Sequence, residues 1–214
     1  MRKPLLLLIF LITAPLSSYT EIKSASDEST VVTEEREGSY SMWIMPEGQV
    51  LDKFSELIIK ISDEYRSPKY KPHVTLLGDL TGFTRMEVVS KATELAESIE
   101  PFAITLTEVK YPASYPNNHE VYYRSLYIVA GRTEPLMKAN ELARKMFGRE
   151  SDPPYNPHLS IMYGQFPAET KEEIISKVGR EFNVSFEVES IYVWSDKGLP
   201  HEWKLIKKIP LDKN

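Results

Sequence analysis

Two histidines of this chain stand in matching surroundings. Tyr70, Lys71, Pro72, His73, Val74, Thr75, Leu76, Leu77 and Gly78 are echoed by Tyr155, Asn156, Pro157, His158, Leu159, Ser160, Ile161, Met162, Tyr163 and Gly164. Both stretches read Tyr-x-Pro-His, an apolar residue, a hydroxyl residue and two apolar residues, with one more residue before the second glycine. Proline disfavours helical geometry in the residue before it and is tolerated where a strand begins, so each copy reads as a strand entered at Pro72 or Pro157. The side-chain period of two then puts His73 with Thr75, and His158 with Ser160, on one face. Val74 and Leu76, like Leu159 and Ile161, point the other way into a core. Each strand therefore offers an imidazole and a hydroxyl roughly 6.5–7 Å apart along the backbone. One such pair is usually a solvated strand face; two in one chain point to a shared site.

Two imidazoles suit a reaction in which one proton is taken and another given, because an unperturbed pKa of about 6.5 lets both protonation states be populated near neutrality. The elements that must position them can be read in order. Tyr40 to Met45 is a candidate strand. Val50, Leu51, Phe54, Leu57, Ile58 and Ile61 recur at helical spacing, which predicts an amphipathic helix over Gln49 to Tyr65. The first motif strand follows. Thr84 and Glu87 form a capping-box pattern ahead of a second helix from Arg85, stopped by Pro101. Phe102, Ile104 and Leu106 alternate in a strand that ends before a Pro112 to Asn118 loop.

The second half repeats this order. A strand is predicted over Glu120 to Val129, a helix over Glu134 to Phe147 closed by Gly148, then the second motif strand, a helix from Pro167 to Val178, and a strand from Val184 to Trp194. A last strand runs from Glu202 to Ile209. Repetition of element order alongside repetition of the motif predicts two pseudo-equivalent lobes that each bring one histidine strand to a shared cleft.

Composition narrows the function classes. At 214 residues, 42% hydrophobic and 27% charged, the chain can bury a core without staples, and the absence of cysteine removes disulfides, thiolate zinc sites and cysteine nucleophiles. A formal net charge of -5 argues against an extended nucleic-acid surface, which needs clustered cations. A small phosphate-bearing ligand is compatible with it, and Arg66, Lys69, Lys71 and Arg124 are candidate cations for one. No His-Glu-x-x-His or Asp-rich metal motif is present, so no metal and no cofactor is expected. Met1, Arg2 and Lys3 followed by an apolar run from Pro4 to Leu16 have the layout of a signal peptide over residues 1–18. Residues 19–38 are polar and acidic, the composition of a flexible linker. The expected location is secreted, periplasmic or in the secretory lumen, without stable membrane insertion once the leader is cleaved; an uncleaved leader would make it a membrane anchor. Residues 39–214 are left for the folded domain, expected as a monomer. Asn183 with Ser185 forms a glycosylation acceptor pattern.

The paired His-x-[Thr/Ser] strands, with Tyr40, Ser41, Met42 and Trp43 before them, Tyr163 after the second and Trp203 near the end, resemble the 2H phosphoesterases. Within these the chain is most similar to cyclic phosphodiesterases, including those of plants. That resemblance implies an α+β fold that is bilobal, with two pseudo-symmetric, largely antiparallel sheets flanked by helices around a central cleft. Alternating strands and helices alone would have suggested a parallel sheet. The resemblance also implies metal-independent hydrolysis of a small cyclic-phosphate nucleotide, a nucleoside 2',3'-cyclic phosphate or ADP-ribose 1'',2''-cyclic phosphate, to a phosphomonoester. A nucleotide-binding module without turnover is the alternative. The catalytic roles fall on His73 and His158 and phosphate binding on Thr75 and Ser160. Tyr163 matches a tyrosine beside the phosphate, and Tyr123 offers a stacking surface for a base; an aromatic core position is the alternative for either. His119 and His201 lack a hydroxyl partner two residues on and are expected at the surface.

Overall fold

The computed structural model describes residues 38–112 and 124–212. The leader, the linker up to residue 37, the 113–123 part of the loop and strand around it, His119 and Tyr123 lie outside the described residues. The element order is β1 (Ser39–Ile44), α1 (Gly48–Tyr65), β2 (Val74–Thr81), α2 (Arg85–Glu97), β3 (Phe102–Lys110), β4 (Leu126–Ala130), α3 (Glu134–Phe147), β5 (His158–Met162), α4 (Ala168–Val178), β6 (Glu181–Val188), β7 (Ser190–Ser195) and β8 (Lys204–Pro210).

The strands form one antiparallel sheet in the order β6-β3-β4-β5-β2-β1-β7-β8. The two expected sheets are its halves, joined where β2 and β5 share the single register pair Val74–Leu159. The halves of the sheet are not the halves of the chain. β3 leaves the first motif strand to pair with β4 and β6, while β7 and β8 return to β1. The single strand expected over Val184 to Trp194 is therefore two, turning at Glu189 from one half of the sheet to the other. Burial marks the switch: β6 alternates with solvent, whereas Ile191, Tyr192, Val193 and Trp194 are all buried. A strand covered on both faces has no alternation to betray its boundary.

The helices cross between halves in the same sense. α1, which precedes the first motif, packs on β5 of the second, and α3, which precedes the second motif, packs on β2 of the first. α1 buries Phe54, Ile58 and Ile61, and α3 buries Leu136, Ala139, Ala143 and Phe147, into one continuous core with Val74, Leu76, Leu159 and Ile161 of the motif strands. At about 25 cal/mol per Å² of apolar surface, that shared core is what holds the two motif strands together. Gly148 closes α3 with φ +66°, a left-handed geometry that glycine takes without steric cost.

The capping box at α2 is present as its sequence predicts. Glu87 N donates to Thr84 Oγ1 at 3.2 Å and Thr84 N to Glu87 Oε2 at 2.7 Å. Thr84→Ala removes one of the two bonds and leaves a helix donor unsatisfied. The expected loss is about 1 kcal/mol, a fall of about 2–4 °C in thermal midpoint for a domain of this size, to be read by calorimetry.

Candidate active site

The single pair Val74–Leu159 sets the geometry of the site. Both side chains are fully buried on the core face. Their neighbours face the opposite way, and antiparallel register turns His73 toward Ser160 and Thr75 toward His158. Histidine and hydroxyl thus alternate about a local twofold, an arrangement that follows from placing His-x-Thr and His-x-Ser about one central pair.

Each imidazole is oriented the same way by its own motif. His73 Nδ1 lies 2.7 Å from Lys71 O, and His158 Nδ1 lies 2.7 Å from Asn156 O. A carbonyl only accepts, so Nδ1–H donates in both rings and the neutral tautomer leaves the Nε2 lone pair for proton exchange. The Pro at the third position of each Tyr-x-Pro-His stretch fixes its own φ and restricts the residue before it. In both copies the accepting carbonyl belongs to that restricted residue.

Burial is the main influence on both pKa values. It lowers His73 to about 4, with the Lys71 carbonyl opposing and the charge of nearby His158 adding to the fall. It lowers His158 to about 4, with the Asn156 carbonyl opposing and Arg124 adding to the fall. In the absence of an anion, both rings are neutral above that range. A bound phosphate would push both upward, because an adjacent negative charge favours the imidazolium.

The two sides of the site differ in chemistry. His73 lies flat on Trp43, ring centroids 3.6 Å apart and planes within 7°. Trp43 stacks on Trp194 at 4.5 Å and meets Trp203 edge-on at 5.6 Å. Tyr163 stacks on Tyr70 at 3.6 Å and lies 6.2 Å from Trp203, while Tyr70 meets His73 edge-on at 6.4 Å. These contacts close into a cycle of ring contacts, His73–Trp43–Trp203–Tyr163–Tyr70, of which His73 is one member. On the other side His158 has Tyr127 at 5.0 Å and the charge of Arg124. An apolar, stacking wall faces a polar one that carries a cation.

The structure brings His73, Thr75, His158, Ser160 and Tyr163 together. Tyr163 is 3% exposed and lies in a buried stack with Tyr70. Arg124 is beside His158, whereas Lys69 pairs with Asp63 at the surface and Lys71 contributes its carbonyl. His201 is exposed, as expected. Sequence reasoning left Tyr127 and Trp194 unassigned and did not place Trp43 under His73. The alternation Ser41, Trp43, Met45 was a signal for one strand face, but which histidine it meets depends on the pairing of Trp43 with Thr75 across β1 and β2. Among the described residues, no group of three His, Cys, Asp or Glu side chains is placed to hold a metal ion. Two surface hollows, one between the end of α2 and the start of α3 and one between α2 and β8, lie away from the histidines.

A curled α+β sheet carrying two His-x-Thr/Ser strands about a twofold defines a 2H phosphoesterase. The profile of the 2'-5' RNA ligase superfamily matches residues 52–199, more than half of the chain, and the protein belongs to that family. It is 23% identical over 139 residues to a cyclic phosphodiesterase of Arabidopsis thaliana, covering 64% of this chain and 72% of that protein. It is 27% identical over 140 residues to a 2',3'-cyclic-nucleotide 3'-phosphodiesterase of Phaeosphaeria nodorum, covering 60% of this chain and 70% of that one. In fold it is similar to a protein of Thermus thermophilus, with TM-score 0.58 and 18% identity over 81% of this chain and 97% of that one. It is also similar to E. coli LigT complexed with 3'-AMP, with TM-score 0.56 and 17% identity over 82% of this chain and 99% of that one.

Proposed function

We propose that this protein is a phosphoric diester hydrolase that opens small cyclic phosphodiesters, nucleoside 2',3'-cyclic phosphates or ADP-ribose 1'',2''-cyclic phosphate, by general acid–base catalysis with His73 and His158. The observation that carries the reading is the duplicated Nδ1–H to carbonyl bond, which leaves each ring its Nε2 for a proton. The relatives named for cyclic phosphodiester hydrolysis support it.

In the reaction, the neutral Nε2 of one histidine takes a proton from water as the water oxygen bonds to phosphorus. The opposite histidine, protonated, gives its proton to the ribose oxygen as the P–O bond breaks. The product is a phosphomonoester beside a free hydroxyl, and solvent returns the two rings to their starting states. Thr75 and Ser160 donate hydrogen bonds to the non-bridging oxygens, where charge grows in the transition state. The charge of Arg124 draws the anion toward His158, and the buried aromatic side holds the His73 ring in place by stacking.

The test is incubation of the full chain with 2',3'-cyclic AMP in excess chelator, followed by phosphorus NMR. Appearance of a single phosphomonoester is the expected result. Intact substrate with tight nucleotide binding would replace this reading with a binding module, and turnover that chelator abolishes would point to a metallohydrolase.

A further inference from the structure

Past the pair Val74–Leu159, β2 and β5 part, and side chains take up carbonyls of β2 next to the division. Thr75 O accepts from Tyr155 Oη at 2.9 Å, and Leu76 O accepts from the buried Asn140 Nδ2 at 2.7 Å. Tyr155 is itself held at its backbone, where Arg132 Nη1 donates to its carbonyl at 2.6 Å. The carbonyl of the next residue, Asn156, accepts the Nδ1 proton of His158. One dipeptide of the second motif therefore orients its own histidine and grips the backbone of the hydroxyl residue of the first.

The first motif makes no such return contact. Tyr70 occupies the position matching Tyr155, yet its hydroxyl is buried without a hydrogen-bond partner and its ring stacks on Tyr163. The local twofold is broken at this pair, and the tyrosine-to-carbonyl hydrogen bond between motifs runs one way.

We propose that Tyr155 is a positioning residue: its hydroxyl, bonded to the Thr75 carbonyl, sets where Thr75 Oγ1 stands relative to His158. The proposal rests on the phosphate-binding role assigned to Thr75. One ladder pair registers the two motif strands against each other, and a misplacement of about 1 Å at such a site can cost about 100-fold in rate. The hydrogen bond adds a second fixed point across that junction. Burial holds the Tyr155 phenol well above its ordinary pKa, so it keeps its proton and donates throughout the working range.

The test is a double-mutant cycle on kcat and KM with 2',3'-cyclic AMP. Tyr155→Phe should lower kcat by about tenfold or more and change KM by less than about twofold, because the lost alignment matters in the transition state. In a Thr75→Ala background the same change should cost less than about threefold. A loss of the same factor in both backgrounds, or none in either, overturns the proposal. Tyr65→Phe, which removes a surface phenol bonded to Glu173, is the control and should leave kcat unchanged. Were the wild-type chain inactive on every cyclic substrate, the functional reading would fail, and the brace would be read separately by NMR. Exchange broadening of the Thr75 and Leu76 amides in Tyr155→Phe but not in Tyr65→Phe would uphold it; unchanged amides would overturn it.

Discussion

His73→Ala and His158→Ala should each lower kcat/KM for a 2',3'-cyclic nucleotide by about 10³-fold, within the range that a positioned general acid or base contributes. At about 1.4 kcal/mol per tenfold, that is about 4 kcal/mol of transition-state stabilisation for each ring. The two losses should be similar, because each imidazole is oriented by the same Nδ1–H to carbonyl bond of 2.7 Å and the two rings come from separate strands, so neither can stand in for the other. The double variant should be far less than about 10⁶-fold impaired, since removing one member of a concerted pair already idles the other. Steady-state rates on the three variants decide this. A single variant retaining more than about a tenth of wild-type activity would remove that histidine from the chemistry.

Thr75→Ala and Ser160→Ala come next, each expected to lower kcat by about 10²- to 10³-fold, the cost of removing one oxyanion donor. The loss should fall mainly on kcat rather than KM, because charge on the non-bridging oxygens grows as water attacks. Thr75→Ser should recover most of the activity, since the hydroxyl and not the methyl is required, whereas Thr75→Val, close in shape, should behave like alanine. Ser160 is 5% exposed and packs more tightly than Thr75. The Ser160→Ala variant should therefore be checked for an unchanged thermal midpoint before its rate is interpreted.

Much of this site was legible in the chain because its rules are local. Proline at the strand entry, a period of two and the repetition of Tyr-x-Pro-His place His73, Thr75, His158 and Ser160 on one face without knowledge of any partner strand. The Thr84–Glu87 capping box and Gly148 mark helix ends for the same reason. What could not be read is long-range pairing. Nothing in Phe102–Lys110 says that β3 joins the second motif's half of the sheet, and the turn at Glu189 is hidden because β7 is buried on both faces. The stacking of His73 on Trp43 depends on the register of β1 against β2, and the Tyr155–Thr75 bond joins residues 80 positions apart. Tyr70 and Tyr155 are the same residue at the same motif position, yet only one makes the contact, a difference set by tertiary packing.

In the proposed reaction the two histidines take opposite proton roles, which the pH dependence of kcat/KM reads out. In chelator, the wild-type profile should be bell-shaped with its maximum on the acid side of neutrality. Burial lowers both rings to about 4 in the free enzyme, and the pair must hold one proton between them to act. The maximum of kcat should lie at higher pH, because the bound phosphate raises both rings. The residual activity of His73→Ala should keep one limb of the bell and that of His158→Ala the other. A bell surviving in either variant, or loss of the same limb in both, would contradict it.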